Sequence, residues 1–524
     1  MTNLHKKSIL KKTALVGVLS LLSKFMGIIR EVIQVRYLGV GALSDAFNIA
    51  FRIPQLLRRL FAEGALSAAF IPTVIKVMRN DSEKQVSRLM TAMYLFFGVI
   101  ILALCLIVSL WPGWVIDIFA PGFRTKPIEF EIATKLIAIL IYFVFFVFSS
   151  ALLAGALQAK MHFAIPSWGP ALMNMFYIGG MLICMHFGLS IEIFAYSLLL
   201  GGFVQSLLSL FMYFKLNFTF LMPNKTTVKY MGEVLGKFVP SLLSVGALEI
   251  NLLIDNRFAS ALPTGSVTLL NISSRFMGIA LGAFAVAFSS ILLSHFSRIS
   301  SYAPKRLSYY LLEATKFIFW ITIPVSLLMT FFAHDIFYTV FYRLTHNFTE
   351  AQVNEAASLL IAFLPGLFFF SFNKIVLSLY YSLHETKITM IITLIGTAAN
   401  IGLNRLLMAY YGAWGIAVAT VLAGVLQSIL FVIVLQKKYK FVLYYKRFFQ
   451  FLGWYIAQLA VLSSVFYVFY KLCVAFVERY LPRYADFLLH AIGLWFWVGP
   501  LCLILCGLLY LARNKYGLKL YFLD

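Results

Sequence analysis

The sequence predicts an all-α polytopic membrane protein with about fourteen transmembrane helices. Of its 524 residues, 62% are hydrophobic and only 12% are charged, whereas soluble domains carry about 25% charged residues. The mean hydropathy is correspondingly high, at +0.90. Apolar runs of roughly 20 residues, each long enough to cross a bilayer core of about 30 Å as a helix, recur along the whole chain. These observations argue against a soluble enzyme or a soluble binding domain.

The predicted spans follow one another through mostly short connections. They cover residues 14–38, 42–77, 88–112, 130–158, 164–187, 191–215, 233–262, 266–294, 307–333, 352–381, 387–411, 413–436, 448–476 and 487–512. The eleventh and twelfth spans meet at the short turn AYYGAWG (409–415).

Basic residues are concentrated on one side of these spans. Counting the amino terminus and every second loop as one side places 25 Lys and Arg residues there and seven on the other. Because basic residues accumulate in cytoplasmic loops, both termini are predicted to be cytoplasmic. The same asymmetry, together with contacts to anionic membrane lipids, accounts for the net charge of +23. We therefore expect no nucleic-acid partner.

The sequence lacks the motifs of several enzyme classes. It contains no GxxxxGK[ST] phosphate loop, no HExxH zinc motif and no GxSxG nucleophile elbow. No soluble segment is large enough to hold a nucleotide. An ATP-driven pump and a hydrolase are therefore disfavoured, and we expect neither enzymatic activity nor a bound cofactor.

Charges inside the predicted spans indicate a polar cavity. A charge near the bilayer centre costs about 2.5–3.5 kcal/mol on insertion scales, so it usually faces a cavity or a partner. In the second span, one face of an ideal helix carries Asp45, Asn48, Arg52, Gln55, Arg59 and Glu63. Arg58 lies off that face, but Pro54 removes a helical hydrogen bond, so we expect a kink that rotates the second half of the helix relative to the first. In the first span, Glu31 is a predicted partner for one of the bases near it, Lys24 and Arg30.

A weak internal repeat accompanies these charges. At an offset of 223 residues, FNIAFRI (47–53) aligns with LNISSRF (270–276), and this matches Asn48 to Asn271 and Arg52 to Arg275. The offset predicts two pseudo-symmetric six-helix lobes followed by two C-terminal helices. The predicted domains are an N-terminal lobe at 1–220, a C-terminal lobe at 221–440, and helices 13 and 14 with a cytoplasmic tail at 441–524. Duplicated lobes around a midplane cavity are typical of alternating-access transporters.

The segment GALSDAFNIAFRIPQLLRRLFAEGALSAAFIP (41–72), preceded by SKFMGIIRE (23–31), resembles the amino-terminal motif of the MurJ (MviN) family. These proteins are bacterial lipid II flippases of the multidrug, oligosaccharidyl-lipid and polysaccharide exporter superfamily. The resemblance continues more loosely through LPTGSVTLLNISSRF (262–276) to about residue 440. It implies a bacterial cytoplasmic (inner) membrane protein that flips the peptidoglycan precursor lipid II to the outer leaflet. The implied partners are lipid II, membrane lipids and other proteins of cell-wall synthesis.

The resemblance also implies roles for individual residues. Lipid II is a polyprenyl chain joined by pyrophosphate to a disaccharide with a peptide, and planar guanidinium groups suit pyrophosphate oxygens. The family's cavity arginines match Lys24, Arg30, Arg58 and Arg275, and further polar family positions match Asp45, Glu63 and Thr268. Lys24 departs from the usual arginine, which keeps the charge but loses bidentate geometry. With the polar residues of the second span, the predicted substrate-binding set is Lys24, Arg30, Asp45, Arg52, Gln55, Arg58, Arg59, Glu63, Thr268 and Arg275.

Two further features leave alternatives open. Arg52 and Arg59 either share the cavity or pair with Asp45 and Glu63 to hold its shape. The resemblance places the lipid tail in a groove beside helices 13 and 14, although ordinary lipid-facing helices have the same apolar composition.

Two energy sources are candidates for driving the substrate across the membrane. Hard oxygen ligands that suit a monovalent cation such as sodium are present at Asp255, Asn400, Asn404 and Thr420. The alternative for these residues is interhelical hydrogen bonding, or a pairing of Asp255 with Arg257. The membrane potential is the second source, because an inside-negative potential favours outward movement of an anion by about 2.3 kcal/mol per charge per 100 mV.

Rival functions remain in two classes. An exporter of another polyprenyl-linked glycan or of drugs would share the lobes and the helix count, but it is expected to lack the 41–72 motif. A membrane scaffold would need no buried cationic face. An intramembrane acyltransferase would need a catalytic His or acid pair in a polar pocket, and the sequence offers no such pair.

Overall fold

A computed structural model describes the protein at residues 23, 25–60, 65–160, 162, 164–383, 385–513, 518 and 520–522. Within these residues the regular structure is helical and contains no strand, which confirms the predicted all-α fold. The chain forms two compact units, one ending at Thr268 and one beginning at Leu269. The predicted lobe boundary at residue 220 rests on the internal repeat rather than on packing, and it stays a prediction.

The helices of the first unit are α1 (25–38), α2 (Ala42–Arg58), α3 (Ala65–Asn80), α4 (Glu83–Leu110), α5 (Pro112–Phe119), α6 (Pro127–Leu140), α7 (Phe143–Ala159), α8 (Ala164–Phe187), α9 (Ile191–Lys215) and α10 (Lys225–Ala259). A short 3-10 helix, Pro121–Thr125, joins α5 to α6. The last helix, α10, packs against α3 and α4, which places it in this unit.

The helices that follow are α11 (Ser266–Leu281), α12 (Ala287–Tyr302), α13 (Leu307–Phe331), α14 (Ala333–Phe337), α15 (Arg343–Thr345), α16 (Glu350–Phe363), α17 (Gly366–Ser382), α18 (Thr386–Lys437), α19 (Tyr445–Tyr480), α20 (Ala485–His490) and α21 (Leu494–Ala512). Helix α11 begins at the end of the first unit, and most of it belongs to the second. Segments of π-helix at Gly282–Val286 and Tyr338–Tyr342 interrupt this series.

Helices with the length and apolar composition of membrane spans recur along the described part of the chain. Eight helices are long and apolar enough to cross a bilayer, or up to ten if each of two bent pairs counts as one span. One bent pair is α16 with α17, which meet at 42° next to Pro365. The multi-span architecture is therefore confirmed, while the number of fourteen stays a prediction.

Gly412 divides the longest helix, α18, into two. Its φ of +56° and ψ of −134° are not helical, and a glycine adopts such a conformation without the cost that a side chain imposes. The break falls inside the predicted turn at 409–415, which confirms that two spans meet there. The backbones on the two sides of this break lie close together, because a Cβ atom on Gly415 would lie 2.3 Å from the carbonyl oxygen of Leu407.

Aromatic rings and small polar side chains pack the first unit. Phe47 of α2 lies 6.1 Å from the ring of Tyr177 on α8 and 5.3 Å from that of Phe194 on α9, measured between centroids. On α7, the hydroxyl of Ser149 accepts a 2.8 Å hydrogen bond from Ser206 of α9. Membrane helices associate largely through such close packing and interhelical hydrogen bonds. The packing places α2 beside α8.

The second unit has two apolar cores that meet at α13. One core joins α13 to α12, α17 and α18, and the other joins it to α19 and α21. The Tyr455 hydroxyl of α19 donates to the Trp320 carbonyl of α13 at 2.6 Å. From the carboxyl-terminal tail, Leu518 and Leu520 are buried in the same core.

Candidate functional site

Arg30 of α1 is held by side chains from its own helix and from α8. One guanidinium nitrogen donates to Asn174 Oδ1 at 3.1 Å, and the other donates to Glu31 Oε1 at 2.8 Å. The guanidinium carbon also lies 4.9 Å from the ring centroid of Tyr177, a cation–π distance. The predicted pairing of Glu31 with a neighbouring base is confirmed. These contacts fix the orientation of the guanidinium plane.

A buried chain of hydrogen bonds continues from Tyr177 along α1 and α2. The Tyr177 hydroxyl donates to Gln34 Oε1 at 2.9 Å, and Gln34 Nε2 donates to Asn48 Oδ1 at 3.3 Å. The Asn48 amide in turn donates to the Thr268 hydroxyl at 3.2 Å. Gln34, Asn48 and Thr268 are each less than 10% exposed. In a low-dielectric interior such a satisfied network rigidifies the elements that it joins.

Asp45 lies at the far end of this network and holds the turn that precedes α11. Its carboxylate accepts hydrogen bonds from the backbone N–H of Gly265 at 2.7 Å, from the backbone N–H of Thr268 at 2.9 Å and from the Thr268 hydroxyl at 2.6 Å. The side chain is completely buried. A carboxylate at the first N–H groups of a helix acts as a cap and complements the helix dipole. Asp45 therefore has a structural role, and its predicted contact with substrate stays a prediction.

Two more side chains fasten the same turn within the first unit. Lys126, just before α6, donates to the carbonyl oxygens of Ser260, at 3.0 Å, and Leu262. Glu129 of α6 accepts a 2.5 Å hydrogen bond from the Thr264 hydroxyl. The turn 260–268 is therefore held by residues from α2 and from the start of α6. By the predicted topology, this turn lies on the outer side of the membrane.

Arg58, the last residue of α2, lines a cavity inside the first unit. The helix continues through Pro54, and the side chain of Arg58 is half-buried. The cavity has a volume of about 260 Å³ and is also lined by residues of α3, α7, α8 and α9. A base predicted from the sequence thus lies beside an open space rather than in a packed core.

The other predicted residues of α2 and α11 have less distinctive surroundings. Arg52, Gln55 and Arg59 are half-buried on α2. Arg275 is half-buried on α11, and the next residue packs against the aromatic rings of Phe337 and Phe341. Lys24 and Glu63 lie outside the described residues. The structure brings Asp45, Asn48 and Thr268 together, and it places Arg30 on the same network through Tyr177.

Three of the four residues predicted to bind sodium form hydrogen bonds with one another. Asn404 donates to Asn400 Oδ1 at 3.1 Å, and Asn400 donates to the Thr420 hydroxyl at 3.3 Å, across the two halves of α18. The bond between Asn400 and Thr420 is of the interhelical kind that was named above as the alternative for these residues. Asp255 belongs to α10 of the first unit, where the neighbouring Arg257 donates to the carbonyl of Ile118. Among the described residues, no three His, Cys, Asp or Glu side chains are grouped to hold a metal ion. The sodium site stays a prediction.

Sequence reasoning missed two residues that position Arg30. Asn174 and Tyr177 lie three residues apart on α8, so they share a helix face, and both are buried. An amide and a phenol at this spacing in an otherwise apolar helix are the signal that would have identified them. Gln34 was missed too, although it lies four residues after Arg30 on the same face of α1 and bonds to Tyr177 and Asn48.

Comparison with protein families and curated proteins gives one consistent match. The family model described as "Lipid II flippase MurJ" matches residues 34–489. A Vibrio cholerae protein named "Probable lipid II flippase MurJ" is 30% identical over 440 residues, which cover 81% of this chain and 82% of that protein. The "Lipid II flippase MurJ" of Burkholderia cenocepacia is 27% identical over 426 residues, covering 80% of this chain and 82% of the relative.

Comparison with solved structures gives the same fold. A structure described as "Lipid II flippase MurJ, inward closed conformation" superposes with a TM-score of 0.74 at 25% identity, covering 86% of this chain and 93% of that one. An inward-facing multidrug resistance transporter of the MATE family superposes with a TM-score of 0.66 at 17% identity, over 78% of this chain and 93% of its own. The latter similarity shows a shared fold alone.

Proposed function

The chain belongs to the lipid II flippase MurJ family, and from that premise we propose that it moves lipid II from the cytoplasmic to the outer leaflet of the bacterial inner membrane. The movement makes and breaks no covalent bond, so the protein is a transporter and not an enzyme. Its function is to supply the precursor for peptidoglycan synthesis outside the membrane. Other cell-wall synthesis proteins are the expected partners on either side.

The observation that best supports this proposal is the hydrogen bonding of the Arg30 guanidinium. Its Nε–H is buried and has no hydrogen-bond partner among the described residues, although both terminal nitrogens are bonded to protein groups. A buried donor on a charged group is costly to leave unsatisfied. A pyrophosphate oxygen satisfies such a donor with a charge-assisted bond. Arg30 is thus pre-positioned for an anionic head group.

Lys24, Arg58 and Arg275 are the further bases that we assign to the head group. Each carries a positive charge in a span where charge is costly, and the planar guanidinium of the two arginines suits phosphate oxygens. Arg58 contributes from the wall of the cavity in the first unit. The lipid tail would lie in the bilayer against α19 and α21, which expose many apolar side chains.

Alternating access is the proposed mechanism. The head group enters from the cytoplasm, neutralises the bases assigned to it above, and leaves on the outer side once the turn 260–268 is released from Asp45 and Lys126. The membrane potential drives an anionic head group outward by about 2.3 kcal/mol per charge per 100 mV. A monovalent cation at Asn400, Asn404 and Thr420 is the second proposed energy source.

The test uses the purified full chain in lipid vesicles that contain labelled lipid II. An added enzyme that modifies only outward-facing lipid II reports the rate of exposure. We expect wild type to accelerate exposure over empty vesicles, and Arg30→Ala to slow it by roughly 10- to 100-fold, as expected for a lost charge-assisted contact of about 1.5–3 kcal/mol. Arg30→Lys, which keeps the charge, should fall between the two.

Arg124→Ala is the matched control. Arg124 is an exposed arginine paired with Asp117 outside the spans, so its removal should leave the exposure rate unchanged. Equal rates for wild-type and empty vesicles would rule out the flippase function. Equal rates for Arg30→Ala and wild type would leave the flippase but remove Arg30 from the site.

A further inference from the structure

The cavity beside Arg58 has a composition that the pyrophosphate does not explain. Among the described residues that line it, Arg58 is the only charged one, and the polar ones are otherwise neutral, namely Ser150, Gln158 and Gln205. The remaining lining residues are aliphatic side chains, prolines and one methionine. A site built for phosphate alone would carry several bases. A mixture of amides, a hydroxyl and apolar surface instead suits a neutral ligand with polar edges and an apolar face.

The amide of Gln205 is held in place. Its Nε2 donates to the Ser150 hydroxyl at 3.3 Å, and that hydroxyl lies 3.0 Å from the Ser209 hydroxyl. The neighbouring helix leaves just enough room for it, because a Cβ atom on Gly169 would lie 2.6 Å from Gln205 Nε2. A glycine at 169 therefore permits the amide to occupy this position at the cavity wall.

Two prolines of α8 add an acceptor and flat apolar surface. Pro170 has no N–H, so the carbonyl of Pro166 receives no helical hydrogen bond from the residue four positions later. Both prolines line the cavity. Their rings and the side chain of Met173 provide the apolar part of the wall, opposite in character to the two glutamine amides.

We propose that this cavity is a sugar subsite, which binds the amino-sugar ring bonded directly to the pyrophosphate while Arg58 contacts the phosphate next to it. The proposal rests on the proposed function and names the part of lipid II that the first unit recognises. A pyranose has an apolar C–H face for the prolines and methionine. Its hydroxyl and acetamido groups donate to and accept from amides and a hydroxyl, and they can donate to the Pro166 carbonyl, which lacks the helical donor four residues later.

The size and position of the cavity agree with this assignment. Its volume of about 260 Å³ is below the roughly 300–1,000 Å³ of pockets that enclose drug-sized ligands. It therefore has room for one ring of the head group, and the second sugar and the peptide would extend out of it. The ends of α7 and α8 that line it meet at a connection predicted to be cytoplasmic, which is the side from which the substrate enters.

The test compares two probes on the full chain in lipid nanodiscs. One probe is a polyprenyl pyrophosphate that carries the N-acetylmuramyl ring, and the other is the same polyprenyl pyrophosphate without a sugar. Wild type should bind the sugar-bearing probe more tightly. Gln205→Leu should lower the ratio of the two affinities by about tenfold, since it leaves polar groups of the sugar without partners. Gly169→Ala, which displaces the Gln205 amide, should act in the same direction.

Gln436→Leu is the matched control, because Gln436 is an exposed glutamine of the second unit that donates to the Tyr445 hydroxyl. It should keep the wild-type ratio. If Gln205→Leu does not fold, Gln158→Leu and Ser150→Ala test the same wall. A wild type without preference for the sugar-bearing probe would overturn the subsite, as would variants that weaken both probes equally. Either result leaves the flippase intact, whereas the vesicle assay alone decides the flippase.

Discussion

Replacing Asp45 with Asn tests whether one carboxylate holds the turn before α11. In the structure the carboxylate accepts three hydrogen bonds, two from backbone N–H groups and one from the Thr268 hydroxyl, and it is fully buried. An asparagine retains a single acceptor oxygen, and its NH₂ group would face one of the donors that the carboxylate satisfied. At least one buried donor, on Gly265 or Thr268, therefore loses its partner.

The cost can be worked from these contacts. An unsatisfied buried donor costs about 1–3 kcal/mol, and loss of the negative charge at a helix start costs roughly 0.3–1 kcal/mol more. We expect Asp45→Asn to reduce the local stability of this turn by about 1.3–4 kcal/mol. At 1.4 kcal/mol per tenfold change, that corresponds to an opening equilibrium raised roughly 8- to 700-fold.

Hydrogen exchange measures this opening directly. The amides of Gly265 and Thr268 should exchange faster by that factor in Asp45→Asn than in wild type, with the full chain in lipid nanodiscs. Asp117→Asn, which alters a half-buried acid on α5, is the control and should leave these amides unchanged. Exchange within twofold of wild type in a folded Asp45→Asn protein would refute the conclusion that the carboxylate holds the turn.

Three smaller perturbations test other parts of the fold. Tyr177→Phe removes the 2.9 Å hydrogen bond to Gln34 but keeps the aromatic ring. It should lower the free energy of unfolding by about 1 kcal/mol and the melting temperature by roughly 2–4 °C. An unchanged melting temperature would contradict a stabilising role of this hydrogen-bond network. Gly412→Ala forces a side chain into a backbone conformation with φ of +56°. It should therefore lower the free energy of unfolding by about 1–3 kcal/mol, measured by thermal unfolding. An Ala variant as stable as wild type would show that the backbone at this position relaxes. The hydrogen bond from Arg124 holds the pKa of the Asp117 carboxyl below its usual range, so the stability that this pair contributes is present above about pH 4 and is lost as the pH falls through the lowered pKa. Melting curves of wild type and Arg124→Ala should accordingly converge as the pH falls below about 4, and a difference that does not shrink there would contradict the pairing.

Sequence reasoning predicted the features that depend on local properties of the chain. The helical, multi-span fold follows from long apolar segments, because a segment in lipid must satisfy its own backbone hydrogen bonds and a helix does so without partners. The pairing of Arg30 with Glu31 and the break at Gly412 are local features too, because the first joins adjacent residues and the second depends on one glycine. The family resemblance was specific because its 41–72 motif is contiguous.

Contacts between distant residues required the tertiary structure. Arg30 and Asn174 are separated by 144 positions, and Asp45 and Thr268 by 223. Nothing in the sequence near either residue specifies its partner, because the choice depends on which helices pack together and at what rotation. The cavity beside Arg58 is likewise formed by residues of five helices, none of which forms it alone.

The sequence by itself therefore determined the class of protein, its family and the charges that a polar cavity needs. Only the tertiary structure decided where each charge lies and what it contacts: Asp45 caps a helix, Arg30 is held by Asn174 and Tyr177, and Arg58 lines a cavity with polar and apolar walls. The physical reason is that hydropathy and helical periodicity are properties of a segment. Hydrogen-bond partners and cavity walls are instead properties of packed helices that come from remote parts of the chain.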